Sequence, residues 1–163
     1  MAGIVPAMSN AHIIPASAFL AHWQGHRRLT RRVIELFPDD QLFTFTIGGM
    51  RPFGAMAMEL LAIAAPAARG VLTDQWTEVA HDAVVPKAEV LRLWDESTTV
   101  IDDVVPRIPA ARFHESMTAF GQYPSTGYDI LLYAIDNEIH HRGQGYVYLR
   151  ALGIEPPGFY DRE

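Results

Sequence analysis

The chain contains no cysteine. That absence removes disulfides, thiol nucleophiles, CxxC redox chemistry and cysteine-based zinc sites together. It fits a reducing cytoplasm, the expected compartment. Positive charge is also scarce, since 13 Lys plus Arg face 19 Asp plus Glu for a formal net charge of −6. Binding along a phosphate backbone needs clustered cations, so nucleic acid is disfavoured as a partner. Met1 to Ile14 lacks the basic start and unbroken apolar run of a signal peptide and reads as a loosely ordered lead-in. The most apolar stretch, Phe53 to Ala68, falls about a turn short of a bilayer crossing and holds Glu59 and Pro66. A buried core helix is expected there, not a membrane span. No repeat or low-complexity tract divides the chain. It also lacks a Gly-rich phosphate loop, a nucleophile elbow and an HExxH motif, so serine hydrolysis and that class of metalloprotease have no support.

What remains is a chain of 163 residues, 49% of them apolar. That is long enough to bury a core and too hydrophobic to stay disordered, so one domain over 1–163 is expected. Four segments carry helical periodicity. The first, about Ala16 to Phe37, places Phe19, Trp23, Thr30, Val33 and Phe37 on one stripe. Its arginines, Arg27, Arg28, Arg31 and Arg32, are expected on a solvated face. The second, about Pro52 to Val71, starts with proline, where a missing N–H costs nothing. Gly70 is its expected stop signal, and Pro66 is expected to kink it or end it early. The third, about Lys87 to Val105, has the stripe Val90, Trp94, Ser97, Ile101 and Val104 or Val105. The fourth starts near Ser125 or Thr126 as cap, with Asp129 in its first turn, and runs to about Leu152 before Gly153. Leu42 to Ile47 is expected to be extended and packed over a bundle end. Ile108 to Pro124 reads as a long packed loop. These features predict an all-α fold, a four-helix bundle with long connections, one of which could be a crossover.

Seven histidines are the main near-neutral acid–base and metal-binding reserve. Before them stands a carboxylate. Glu59 is the one charged side chain between Phe53 and Ala68, and an unpaired carboxylate inside an apolar helix is costly. It must protonate, pair with a cation or ligate a metal, unless it lies on a narrow polar edge that reaches solvent. On the fourth segment, Asn137 and His141 share one face at four-residue spacing, and Asp136 and His140 share the adjacent one. Either pair could present an oxygen and an imidazole nitrogen to a bundle core. Gly143 and Gly145 cost helix propensity there, which points to close packing or backbone approach. His22 and His26 also have four-residue spacing, but the nearby arginines would repel a dication, so they read as hydrogen-bonded boundary residues. His12, His81 and His114 fall in expected loops.

The run Ile139-His140-His141-Arg142-Gly143-Gln144, with Tyr148 to Ile154, Pro156-Pro157 and Met50-Arg51-Pro52-Phe53, resembles the DinB/YfiT-like family over nearly the whole chain. The resemblance implies a four-helix bundle, a homodimer, and a divalent metal held by one histidine of the second helix and two of the last. It implies relatives that include transferases and isomerases using low-molecular-weight thiols, some of them induced by DNA damage. By position, His141 matches the family's last histidine. Asn137 stands in place of the histidine four residues earlier, and Glu59 in place of the one on the second helix. The implied metal set is therefore Glu59, Asn137 and His141. A carboxylate can ligate zinc, manganese, nickel or iron, whereas an asparagine amide suits harder cations and binds weakly.

Two readings follow. In one, the chain is a divalent-metal-dependent enzyme, a small-molecule thiol transferase or a hydrolase, with an open metal position for water or a thiolate and with His140 or Glu138 orienting a ligand. Any thiol would come from the small molecule. In the other, it is a non-enzymatic stress-response or binding protein with a vestigial, metal-free pocket, in which Glu59 bonds Asn137 and His141 directly.

Overall fold

The structure is a computed structural model that describes residues 14–163, so the lead-in over 1–13 and His12 lie outside the described residues. Four helices make up the bundle: α1 (Ala16–Leu36), α2 (Phe53–Thr73), α3 (Lys87–Val104) and α4 (Gly127–Ala151). Each apolar stripe faces inward as its spacing requires. Phe19, Trp23, Thr30, Val33 and Phe37 are all buried, and so are Val90, Trp94, Ser97, Ile101, Val104 and Val105. α4 begins where the sequence suggests: the Thr126 side chain caps it by accepting from the Asp129 backbone N–H at 3.2 Å.

Of the two outcomes expected at Pro66, an early end does not occur, and Gly70 does not stop the helix. Pro66 lies inside the helix, which runs on to Thr73 and ends with Asp74 in the left-handed region at φ 60°. Packing on neighbouring helices outweighs the lost backbone bond. Gly70 is a packing residue rather than a stop, since a Cβ there would lie 2.2 Å from the Trp76 ring. By length and apolarity α2 could cross a membrane, but it is mostly buried within the bundle.

α1 packs on α3 and α4, and α2 packs on α3 and α4, so α1 and α2 lie diagonally across the bundle. The connection over 37–52 spans that diagonal. Leu42 to Ile47 forms turns and bends rather than an extended strand, with Leu42 buried and Phe43, Phe45 and Ile47 packed on the core. The long connection after α3 holds two short 3-10 turns (Val105–Arg107 and Ala110–Phe113). It also holds an antiparallel hairpin of β1 (Ser116–Ala119) and β2 (Tyr123–Thr126), paired from Ser116 with Thr126 to Ala119 with Tyr123. The expected loop is therefore partly a hairpin.

The core falls into two apolar clusters. One gathers Phe19, Trp23, Ala68, Ile101, Phe113, Leu131 and Ile135; the other gathers Val33, Phe37, Phe53, Leu60, Trp94, Tyr148 and Leu149. Between them in sequence on α1, α3 and α4 lie polar residues of the interior, which with Glu59 of α2 form a polar waist.

Candidate functional site

On one side of the waist, α2 faces α4. Glu59 is part-buried, and its two oxygens are both engaged. Arg51 Nη2 lies 2.6 Å from Oε2, while Asn137 Nδ2 and His141 Nε2 each lie 3.3 Å from Oε1. The three residues singled out from sequence do converge. Burial pushes the Glu59 carboxyl up, but hydrogen bonds from Arg51 and Asn137 and the charges of Arg51 and His141 outweigh it, so its pKa lies below the ordinary carboxylate value. Of the alternatives open to a lone carboxylate in an apolar helix, the geometry realises pairing with a cation. His141 is buried, and its Nδ1 faces Gln144 Oε1 at 2.7 Å. Both ring nitrogens therefore have oxygen partners.

Two participants carried no role in the sequence reading. Gln144 had a signal, because a three-residue step places it over His141 on a helix. Arg51 precedes α2, and no periodicity connects it to Glu59. Its backbone carbonyl accepts from the Tyr148 hydroxyl at 2.9 Å, and Met50 Sδ accepts from Gln144 Nε2 at 3.6 Å, so α4 itself fixes this segment. Asp136 and His140 are exposed, and that pair does not enter the core.

On the other side of the waist, α1 faces α3 and α4. Here two expectations are corrected. Arg27 is fully buried rather than solvated, with its guanidinium 3.6 Å above the Trp94 ring, Nη2 donating to the Trp94 carbonyl at 3.1 Å and Nη1 3.7 Å from Glu138. Its spacing from Trp23 and Thr30 had placed it on the apolar stripe; its charge hid this. Glu138 does not orient a ligand at the α2–α4 centre. It accepts from Thr30 Oγ1 at 2.6 Å and lies 3.8 Å from Arg142. Burial pushes Glu138 up against the pull of Arg27, Thr30 and Arg142, and burial brings Arg27 down to about 10.

Arg142 braces α4 on α1, donating to Thr30 Oγ1 at 3.0 Å and to His26 Nδ1 at 2.9 Å. His26 is buried and His22 exposed, with their Nε2 atoms 3.2 Å apart. Burial, then Arg142, Arg162 and His22, lowers the His26 pKa to about 3. His26 is thus a hydrogen-bonded interior residue.

Glu59 also lines a cleft of about 690 Å³ bounded by α2, the segment around Glu78 to His81, the hairpin and the first turns of α4. Ala62, Ile63, Phe120, Tyr123, Ile130 and Tyr133 supply apolar and aromatic walls. A cleft of this size, with apolar and aromatic walls and polar groups such as Glu59, Glu78, His81 and Asp129 among them, suits a small organic molecule.

Four helices with a short hairpin before the last define the fold class as a helical bundle. The chain belongs to the DinB family, whose sequence profile matches residues 8–163. Solved structures with the same fold include a DinB-like protein of Bacillus subtilis (21% identity, 87% of this chain and 96% of that one, TM-score 0.69) and one of Bacillus cereus (19% identity, 88% and 97%, TM-score 0.74). A mutant of a mycothiol-dependent maleylpyruvate isomerase is also similar (13% identity, 83% and 62%, TM-score 0.60). No curated protein matches the chain.

The family resemblance implies a divalent metal at this centre, and the donor chemistry does not fit one. The centre offers a single imidazole, where the resemblance implies three. The Glu59 oxygens already accept from Arg51, Asn137 and His141. Asn137 must turn its NH₂ toward a carboxylate acceptor, which directs its weakly ligating oxygen away. Among the described residues, no cluster of three His, Asp or Glu side chains is arranged to hold a metal.

Proposed function

We propose that this DinB-family chain is a small-molecule-binding protein whose polar centre works without a divalent metal. The molecule's apolar body would lie in the α2–hairpin–α4 cleft, with the Glu59 centre at its head. The observation that carries this reading is the charge balance at Glu59: Arg51 at 2.6 Å supplies the positive charge that the family's metal would bring. Two further contacts at 3.3 Å complete the carboxylate's hydrogen bonding. The reading makes the pocket a binding site built on the family's bundle.

A second reading, a metal-dependent enzyme using Glu59, Asn137 and His141, draws support from the convergence of those side chains on one carboxylate oxygen. The mycothiol-dependent isomerase among the structural neighbours supports a thiol co-substrate for it. Without cysteine, the thiol in that reading comes from the small molecule.

Elemental analysis of protein purified without chelators or an affinity-metal step decides between them. The expected result is no stoichiometric metal, with an unchanged thermal midpoint on adding zinc, manganese or nickel. Stoichiometric metal that disappears in Glu59→Ala and His141→Ala would overturn the first reading in favour of the second.

A further inference from the structure

We propose that Arg51 is the resident cation of this centre and that its guanidinium, more than the weakness of the remaining donor set, is what excludes a divalent ion. The inference rests on the metal-free reading above and assigns the cause. Asn137 Nδ2 and His141 Nε2 each lie 3.3 Å from one Glu59 oxygen, and turning the Asn137 amide over would bring its own oxygen to the same place. A dication drawn to that carboxylate would have to approach a guanidinium that is permanently charged and already 2.6 Å from the other oxygen. Two like charges at such separations repel strongly at a part-buried position.

Arg51 is also held in place. The buried Tyr148 side chain donates to its carbonyl at 2.9 Å, and Gln144, which faces His141 at 2.7 Å, contacts the adjoining Met50 at 3.6 Å. These contacts form a circuit from α4 through Gln144, His141, Glu59 and Arg51 back to α4. The backbone of residue 51 is anchored while half of its side-chain surface remains open, so the guanidinium can be removed without emptying the core.

The test is titration with Co²⁺ and Zn²⁺, read by calorimetry and by the cobalt ligand-field spectrum. It compares the wild type with Arg51→Met, Arg51→Gln, Arg51→Met/Asn137→His and Arg51→Met/Glu59→Gln. The wild type is expected not to bind. Either Arg51 replacement is expected to gain affinity by at least about tenfold as the repelling charge leaves. Adding Asn137→His, which restores an imidazole, should tighten binding further, and adding Glu59→Gln should remove it. Circular dichroism and the metal-free thermal midpoint establish that each variant is folded.

Folded Arg51→Met and Arg51→Gln proteins that take up no metal would overturn the proposal while leaving the metal-free reading intact, whether or not Arg51→Met/Asn137→His binds. Stoichiometric binding by the wild type would instead overturn that reading, and this proposal with it.

Discussion

Burial among cations leaves His26 one stable form. Its ring accepts from Arg142 and lies close to Arg162 and His22, so it stays neutral in the folded state with a pKa near 3. In the unfolded chain the value returns to 6.5. Between those values the unfolded state holds a proton that the folded state does not, so stability falls as pH drops below 6.5. The slope approaches about 1.4 kcal/mol per pH unit for one proton. Denaturant unfolding across that range should show the slope in the wild type. His26→Gln keeps an acceptor for Arg142 and has nothing to titrate, so its profile should be flatter until carboxylates begin to protonate. Equal slopes in both proteins would mean that His26 does not set the acid limit.

Two of the three glycines of α4, Gly143 and Gly145, have opposite roles, which the sequence could flag but not separate. A Cβ at Gly145 would lie 2.6 Å from the Phe53 ring, whereas at Gly143 it would meet nothing within 4 Å. Gly145→Ala should therefore destabilise by about 1–3 kcal/mol through overpacking. Gly143→Ala should stabilise by about 1 kcal/mol through helix propensity. Thermal midpoints moving in opposite directions are the expected readout. Helical stripes and the Thr126 cap were legible because periodicity and capping are local. That α2 runs on past Pro66 rather than ending there was left open, because neighbouring helices can override what a proline does in isolation. The same limit applied to charge. Arg27 occupied a stripe position at helical spacing, yet its burial depends on Trp94 and Glu138, which come from two other helices. Glu59 was legible as a lone carboxylate needing a partner, but the partner, Arg51, lies before the helix and is placed by Tyr148.

Across the whole molecule, the waist separates two apolar clusters with a layer of paired charges. Burying two guanidiniums against one carboxylate is tolerable only while that carboxylate is present. Glu138→Ala should therefore cost about 3–5 kcal/mol, measured by urea unfolding, because it strands Arg27 and Arg142 together. A loss below about 1 kcal/mol would show that water reaches both arginines and that the waist is not dry.

The diagonal placement of α1 and α2 reaches beyond the native state. α2 and α3 are the one pair of consecutive helices that pack side by side extensively, whereas α1 must find α3 and α4, and α2 must find α4. Most of the bundle's interfaces therefore join segments far apart in sequence. Each demands loop closure before its contacts repay the lost chain entropy, which gives this helical protein a higher contact order than an up-and-down bundle of the same length.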